Sequence, residues 1–239
     1  MVNANIIKDI RQTLIDSADE KTLQSSARFF KEGERAKVYG VSTSLAVKIG
    51  REGLKQIKSL PKEQIFSLCE ELWKSGYLEE AIIACNWADS IHRQFEPSDF
   101  EVFERWVSNY VTNWADCDTL CNHTIGEFMM MYPEYLRELK RWARSDHRWL
   151  KRAAAVTLII PARKGLFFRD ILEIADILLE DSDDLVRKGY GWMLKAASEA
   201  HLEEIFNYVL SKKSIMPRTS LRYAIEKMPA EYKKKAMVR

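Results

Sequence analysis

The sequence predicts an all-α fold, a superhelical solenoid of stacked two-helix repeats, and three observations carry that expectation. Pro61, Pro97 and Pro133 recur 36 residues apart, and each opens an amphipathic stretch. A second block recurs at the same interval: Leu78-Glu79-Glu80-Ala81, Trp114-Ala115-Asp116-Cys117, Leu150-Lys151-Arg152-Ala153 and Val186-Arg187-Lys188-Gly189. Strand patterns are weak throughout, and Gly/Pro clusters are short. Four units in register at this length indicate HEAT-like helix pairs, which stack because a single pair leaves its apolar face uncovered.

The elements follow in order. The first 58 residues predict one helix near 4–16 and further helical segments, with a looser stretch, KEGERAKVYGVST, between them. Stacked pairs then fill 59–229, running 62–74 with 78–93, 98–111 with 114–130, 133–144 with 148–160, and 168–180 with 184–199. A last pair spans about 201–211 and 217–228, and 230–239 reads as a basic C-terminal tail of the same single domain, 1–239. Proline suits a first helical turn, where its missing N–H has no intrahelical partner to lose. After Pro97, Ser98 and Glu101 have capping-box spacing, and Phe100, Phe103, Val107, Tyr110 and Val111 then mark one buried helical face. Small residues at the fourth block position (Ala81, Cys117, Ala153, Gly189) allow helices to approach closely. A curved stack of this kind presents a concave face lined by its inner helices, where a ligand would be read.

The composition is that of a globular chain with mixed charge, and the formal net charge is only +2. Basic residues are nonetheless clustered: Arg137, Lys140, Arg141, Arg144, Arg148, Lys151 and Arg152 in one stretch, and Lys212 to Lys235 in another. Charge alone leaves a polyanion partner and a plain solvated face equally open. Four cysteines and no recognisable signal peptide point to reduced thiols in a cytoplasmic protein. No apolar run approaches the length of a membrane span.

The stretch TNWADCDTLCNH, 112–123, crowds chemistry-bearing residues into one helix. Cys117 and Cys121 share a helical face, but His123 projects elsewhere unless the helix ends there, and no second Cys/His cluster lies nearby to complete four zinc ligands. Packed thiols are the expectation, with no metal and no Cys–His nucleophile. Asp116 and Asp118 point to different faces, so they are not a ready acid/base pair. Trp114 and Asp118, four apart, share a face, as do Lys188 and Trp192 in a later repeat. Asp118 sits among apolar and small residues, so it must be bonded, paired or functional. The residues alone leave open whether it caps, bridges to the next repeat, or acts. No glycine-rich phosphate loop, H-E-x-x-H or G-x-S-x-G is present.

Over almost its whole length the chain resembles the DNA alkylation repair family, the AlkD-like DNA glycosylases built from HEAT-like repeats. The likeness is densest in FFKEGERAKVYGVST (29–43), NWADCDTLCNHTIG (113–126), RWLKRAAAV (148–156) and LVRKGYGWMLK (185–195). The ordered W-x-x-x-D, W-L-x-R and G-W blocks are much more specific together than any one is alone. The resemblance implies a concave DNA-binding face on which Trp114 and Trp192 line the cleft, Asp118 is the catalytic carboxylate and Arg152 stands beside it. Lys188 is a further candidate for phosphate contact. Phe29 takes the place of the family's N-terminal tyrosine, keeping the ring without its hydroxyl, and Asn113 stands where the family has a second tryptophan.

The implied activity is monofunctional hydrolysis of the N-glycosidic bond of cationic N3- or N7-alkylated purines in double-stranded DNA, without base flipping, cofactor or membrane, by a monomer. The alternative is a non-enzymatic HEAT-repeat module that binds DNA or lesions, or serves as a protein scaffold. Such a module has no need for Trp114, Asp118, Arg152 and Trp192 together.

Overall fold

The computed structural model of the chain describes residues 2–26, 28–30, 34 and 36–238, with only the backbone of 2–4. Among these the chain is helical, without a strand and with one isolated bridge between Lys37 and Tyr77. The all-α expectation holds. The chain divides into two compact units, 1–120 and 121–239.

Unit 1 contains α1 (Val2–Asp16), α2 (Glu20–Ser26), α3 (Thr43–Ile57), α4 (Lys62–Trp73), α5 (Leu78–Ser90), α6 (Asp99–Asn109) and α7 (Trp114–Thr119). Two rows emerge from their packing. α3 touches α5 and α5 touches α7, while α1 touches α4. α6 joins α4 through an aromatic cluster: the Phe66 ring meets Phe103 at 5.8 Å and Trp106 at 5.4 Å, edge to face in both cases. Edge-to-face geometry matches the positive rim of one ring to the negative face of the other. Ser98 does not form the expected capping box. It is already helical (φ −66, ψ −20), which turns its hydroxyl away from the cap position. Asp99 takes over, accepting the Glu96 N–H and the buried Lys62 ammonium.

Unit 2 contains α8 (Gly126–Met131), α9 (Leu136–Ala143), α10 (Arg148–Val156), α11 (Ile159–Arg163), α12 (Phe168–Ile177), α13 (Asp184–Ala197), α14 (Leu202–Lys212), α15 (Arg218–Ile225) and α16 (Ala230–Met237). Again there are two rows. α10, α13 and α15 pack in succession, and α9 packs on α12. α14 reaches α12 through Tyr208 and Lys212, both bonded to Asp176. The residues expected as a basic tail form α16 instead, whose Ala236 is buried. The small block residues Ala81, Cys117, Ala153 and Gly189 are all buried, each within its own unit.

Between α7 and α8 the backbone widens into a π-helical segment, Leu120–Ile125. The helix expected over 114–130 is therefore not uniform at LCNH. It changes hydrogen-bond pattern there, and the boundary between the units falls within the same segment. Thr119 contributes locally, because its hydroxyl donates back to the Ala115 carbonyl, a bond that loosens and bends helices.

Candidate functional site

In unit 1 the candidate residues sit on α7, and Asn113 sets where that helix begins. Asn113 is extended (φ −146, ψ 166), and its Oδ1 accepts the Asp116 N–H at 3.0 Å. Its Nδ2 donates to Asp116 Oδ2 at 2.5 Å, closing a reciprocal clasp across the first turn. The residue at which the chain departs from its resemblance is thus an N-cap. Asp116 is 6% exposed and its Oδ1 has no hydrogen-bond partner. Burial drives its carboxyl up to about 7, against a smaller opposing effect of the Asn113 bond.

Two residues further on, Asp118 is 9% exposed and is not an isolated charge. Trp114 lies four residues before it, half-buried, and no hydrogen bond involves its indole N–H among the described residues.

Phe29 is 68% exposed and has no ring partner among the described residues. Its neighbour Phe30 lies 6.0 Å from Trp114, ring centroid to ring centroid. Nothing in the sequence singles out Phe30 over Phe29, since the two rings are adjacent and identical. Of the stretch expected to be loose, residues 31–33 and 35 lie outside the described residues. The part from Tyr39 onward is held firmly to α5. The buried Glu79 accepts the backbone N–H groups of Tyr39, Gly40 and Val41 at 3.0–3.1 Å. Gly40 makes this possible with φ +91 and a backbone that presses on Leu23. The fully buried Glu80 accepts two bonds from Arg11 and one from the Tyr39 hydroxyl. Burial and that carboxylate both push the Tyr39 phenol up.

In unit 2, Arg152 is 5% exposed and donates to the Leu185 carbonyl. Its stem packs against Gly189, where an added Cβ would meet the Arg152 Cγ at 3.5 Å. Lys188 bonds Asp184 at 2.7 Å, and that carboxylate raises the ammonium pKa. Trp192 is half-buried and its indole N–H is also unbonded among the described residues. Arg152 and Lys188 therefore come together beside Gly189, and Trp192 follows Lys188 by four residues on α13. The aligned block position holds Glu80, Asp116, Arg152 and Lys188, and the first three are buried rather than displayed on an open stripe.

The basic stretch near α9 and α10 is not an open patch either. Lys140 pairs with Asp170 and Glu173, Arg148 with Asp183, and Lys151 with Asp181. These acids lie about one repeat further along the chain, so the sequence neighbourhood of the cations does not reveal them. In the C-terminal region Lys212 pairs with Asp176 and Lys227 with Glu199, while Arg218 and Arg222 make no ion pair among the described residues. Cys117 and Cys121 are buried thiols outside any disulfide, and His123 is exposed. Among the described residues, no three His, Cys, Asp or Glu side chains gather as a metal site, and no helix is long and apolar enough to cross a membrane.

These features define an all-helical protein of stacked helix pairs, with a buried carboxylate beside an aromatic in one unit and a cation–aromatic face in the other. A family model for DNA alkylation repair enzymes matches residues 10–228, and the chain belongs to that family. Membership places it among enzymes of DNA alkylation repair, with DNA as the substrate. A solved structure described as a predicted DNA alkylation repair enzyme from Enterococcus faecalis is similar with a TM-score of 0.78. The likeness covers 90% of this chain and 98% of that one at 13% identity, which speaks for the fold. No curated protein matches the chain.

Proposed function

We propose that the chain is a monofunctional DNA glycosylase that hydrolyses the N-glycosidic bond of cationic N3- or N7-alkylated purines in duplex DNA. The observation that carries the reading is Asp118, a buried carboxylate one helical turn from the open indole of Trp114, in a chain of the DNA alkylation repair family. Alkylation at N3 or N7 makes the purine a cationic leaving group, so its departure needs no strong general acid. As the base leaves, positive charge develops on the deoxyribose. A carboxylate held out of bulk water stabilises that charge strongly, because the surrounding dielectric is low. The same carboxylate orients the attacking water, as carboxylates do in glycoside hydrolysis.

Trp114 supports this chemistry by offering an aromatic face to a cationic lesion and to the sugar edge. In unit 2, Arg152 and Lys188 serve the phosphate backbone and Trp192 stacks on it. Phe29, with most of its ring open, and Phe30 beside Trp114 supply aromatic surface at the N-terminal end of unit 1. No cofactor enters the reaction, and the chain acts as a monomer within the cytoplasm. Since the lesion is held through its backbone rather than flipped into a base pocket, bulky cationic adducts are accepted and neutral damaged bases are not.

The test is release of 7-methylguanine and 3-methyladenine from methylated duplex DNA by wild type and by Asp118→Asn. We expect the substitution to slow release by roughly two to three orders of magnitude while DNA binding persists. Equal rates for the two proteins would remove Asp118 from the chemistry. Binding without release by either would favour a non-enzymatic lesion-binding module.

A further inference from the structure

Unit 2 places three helices side by side, α10, α13 and α15. On α13, Lys188, Trp192 and Lys195 fall at i, i+4 and i+7 and so share one face. Arg152 of α10 flanks that face at Gly189. Tyr223 of α15 flanks it on the other side, at Gly191. There an added Cβ would stand 2.7 Å from the Tyr223 Cβ and 2.9 Å from the Ser220 carbonyl oxygen, so only glycine admits so close an approach. The Lys195 ammonium lies 5.6 Å from the centre of the Tyr223 ring and pairs with Glu226 at 2.9 Å. Lys188 also lies near enough to interact electrostatically with the Tyr223 side chain.

Tyr223 differs from five other tyrosines of the chain, while Tyr77 shares its lack of a hydroxyl bond among the described residues. The hydroxyls of Tyr39, Tyr110, Tyr190, Tyr208 and Tyr232 all donate to an internal carbonyl or carboxylate. The Tyr223 hydroxyl makes no hydrogen bond among the described residues, and its side chain is half-exposed. Two ammonium groups beside an unengaged phenol favour an anionic acceptor over a neutral one. The alternation of cation and ring, from Arg152 through Trp192 and the lysines to Tyr223, matches the alternation of phosphate and sugar along a nucleic-acid strand.

We propose that Tyr223 is a further DNA contact, its hydroxyl donating to a backbone phosphate at the α15 edge of this strip. The inference rests on the DNA-binding part of the reading above, not on base excision.

The experiment is titration of a short unmodified duplex by fluorescence anisotropy at several salt concentrations, with wild type and Tyr223→Phe. The substitution keeps the ring and its packing on Gly191, and thermal melts confirm that the fold is retained. We expect affinity to fall roughly three- to tenfold at every salt concentration, the net scale of one typical hydrogen bond. The salt slope stays unchanged, because a neutral hydroxyl displaces no counterion. Equal affinity of the two proteins overturns the proposal while leaving the glycosylase reading intact. Weaker binding by Tyr223→Phe in a protein that releases no base upholds it and overturns only the excision chemistry. A wild type that binds an acidic protein but no DNA overturns both.

Discussion

The two units share a construction and differ in what they bury. Among the described residues, Glu34, Glu79, Glu80, Asp99, Asp116 and Asp118 are the buried carboxylates, and all lie in unit 1. The buried charge of unit 2 is a cation, Arg152, whereas Lys62, the cation buried in unit 1, pairs with Asp99 there. The repeat makes the contrast sharp, because the same block position holds Glu80 and Asp116 in unit 1 and Arg152 and Lys188 in unit 2. The recurring pattern of small and apolar residues sets how the helices pack, while the polar residue between them is free to change sign. A repeat scaffold can therefore hold carboxylates in one unit and cations in another without changing its helices.

The largest expected effect tests whether the acids of unit 1 are structural. Glu79→Ala removes the acceptor of three backbone N–H groups that close the loop onto α5. Unsatisfied buried donors cost about 1–3 kcal/mol each and are not additive, so we expect a loss of about 4 kcal/mol in urea unfolding. An unfolding midpoint equal to that of wild type would separate the loop from α5 energetically and weaken the contrast between the units.

The helix order was legible because it depends on local rules. Pro61 and Pro217 stand at N-caps, and the 36-residue interval predicts each helix pair closely. Trp114 and Asp118 could be placed on one face by helical spacing alone, but Asp118 acquired a role only through the family pattern. What escaped the sequence depends on contacts across repeats or on backbone detail. The partners of Lys140, Arg148 and Lys151 lie some 30 residues away, so a basic run looked open where it is neutralised. The π-helical turn after Thr119 has no residue signature distinct from an ordinary helix. Asn113 read as a missing tryptophan because the cap it forms needs an extended backbone to be recognised. The close approach of Tyr223 to Gly191 on α13 depends on the packing of two helices and left no mark in the sequence reading.

A second test reads the acids of unit 1 through pH. The Asp116 carboxyl is raised by burial to about 7 from an ordinary 3.8. In the unfolded chain it titrates near the ordinary value. Between about pH 4 and pH 7 the folded chain therefore holds a proton that the unfolded chain has released, and stability falls as pH rises through that window. The full effect is on the order of 4 kcal/mol. Asp116→Asn, which keeps the shape and a carbonyl acceptor, flattens this dependence. Unfolding curves at pH 4.5 and 7.5 (roughly the two sides of the window) check it. An unaltered pH profile in the variant would assign the titration to another group.

The smallest expected effect concerns the cations of unit 2. These fall into two sets, those stitched to the following repeat and those placed around Gly189 and Gly191. Arg148 belongs to the first: it pairs with Asp183, and its side chain is half-exposed, so solvent screens the pair. Arg148→Ala should therefore change stability by no more than about 0.5 kcal/mol. Because its charge is already balanced within the fold, the same variant should leave the salt dependence of duplex binding unchanged. A slope reduced by about one would show that Arg148 exchanges Asp183 for a phosphate when DNA binds. That outcome would merge the two sets, and the ion pairs between repeats would then be a reserve of DNA contacts rather than stitches of the fold.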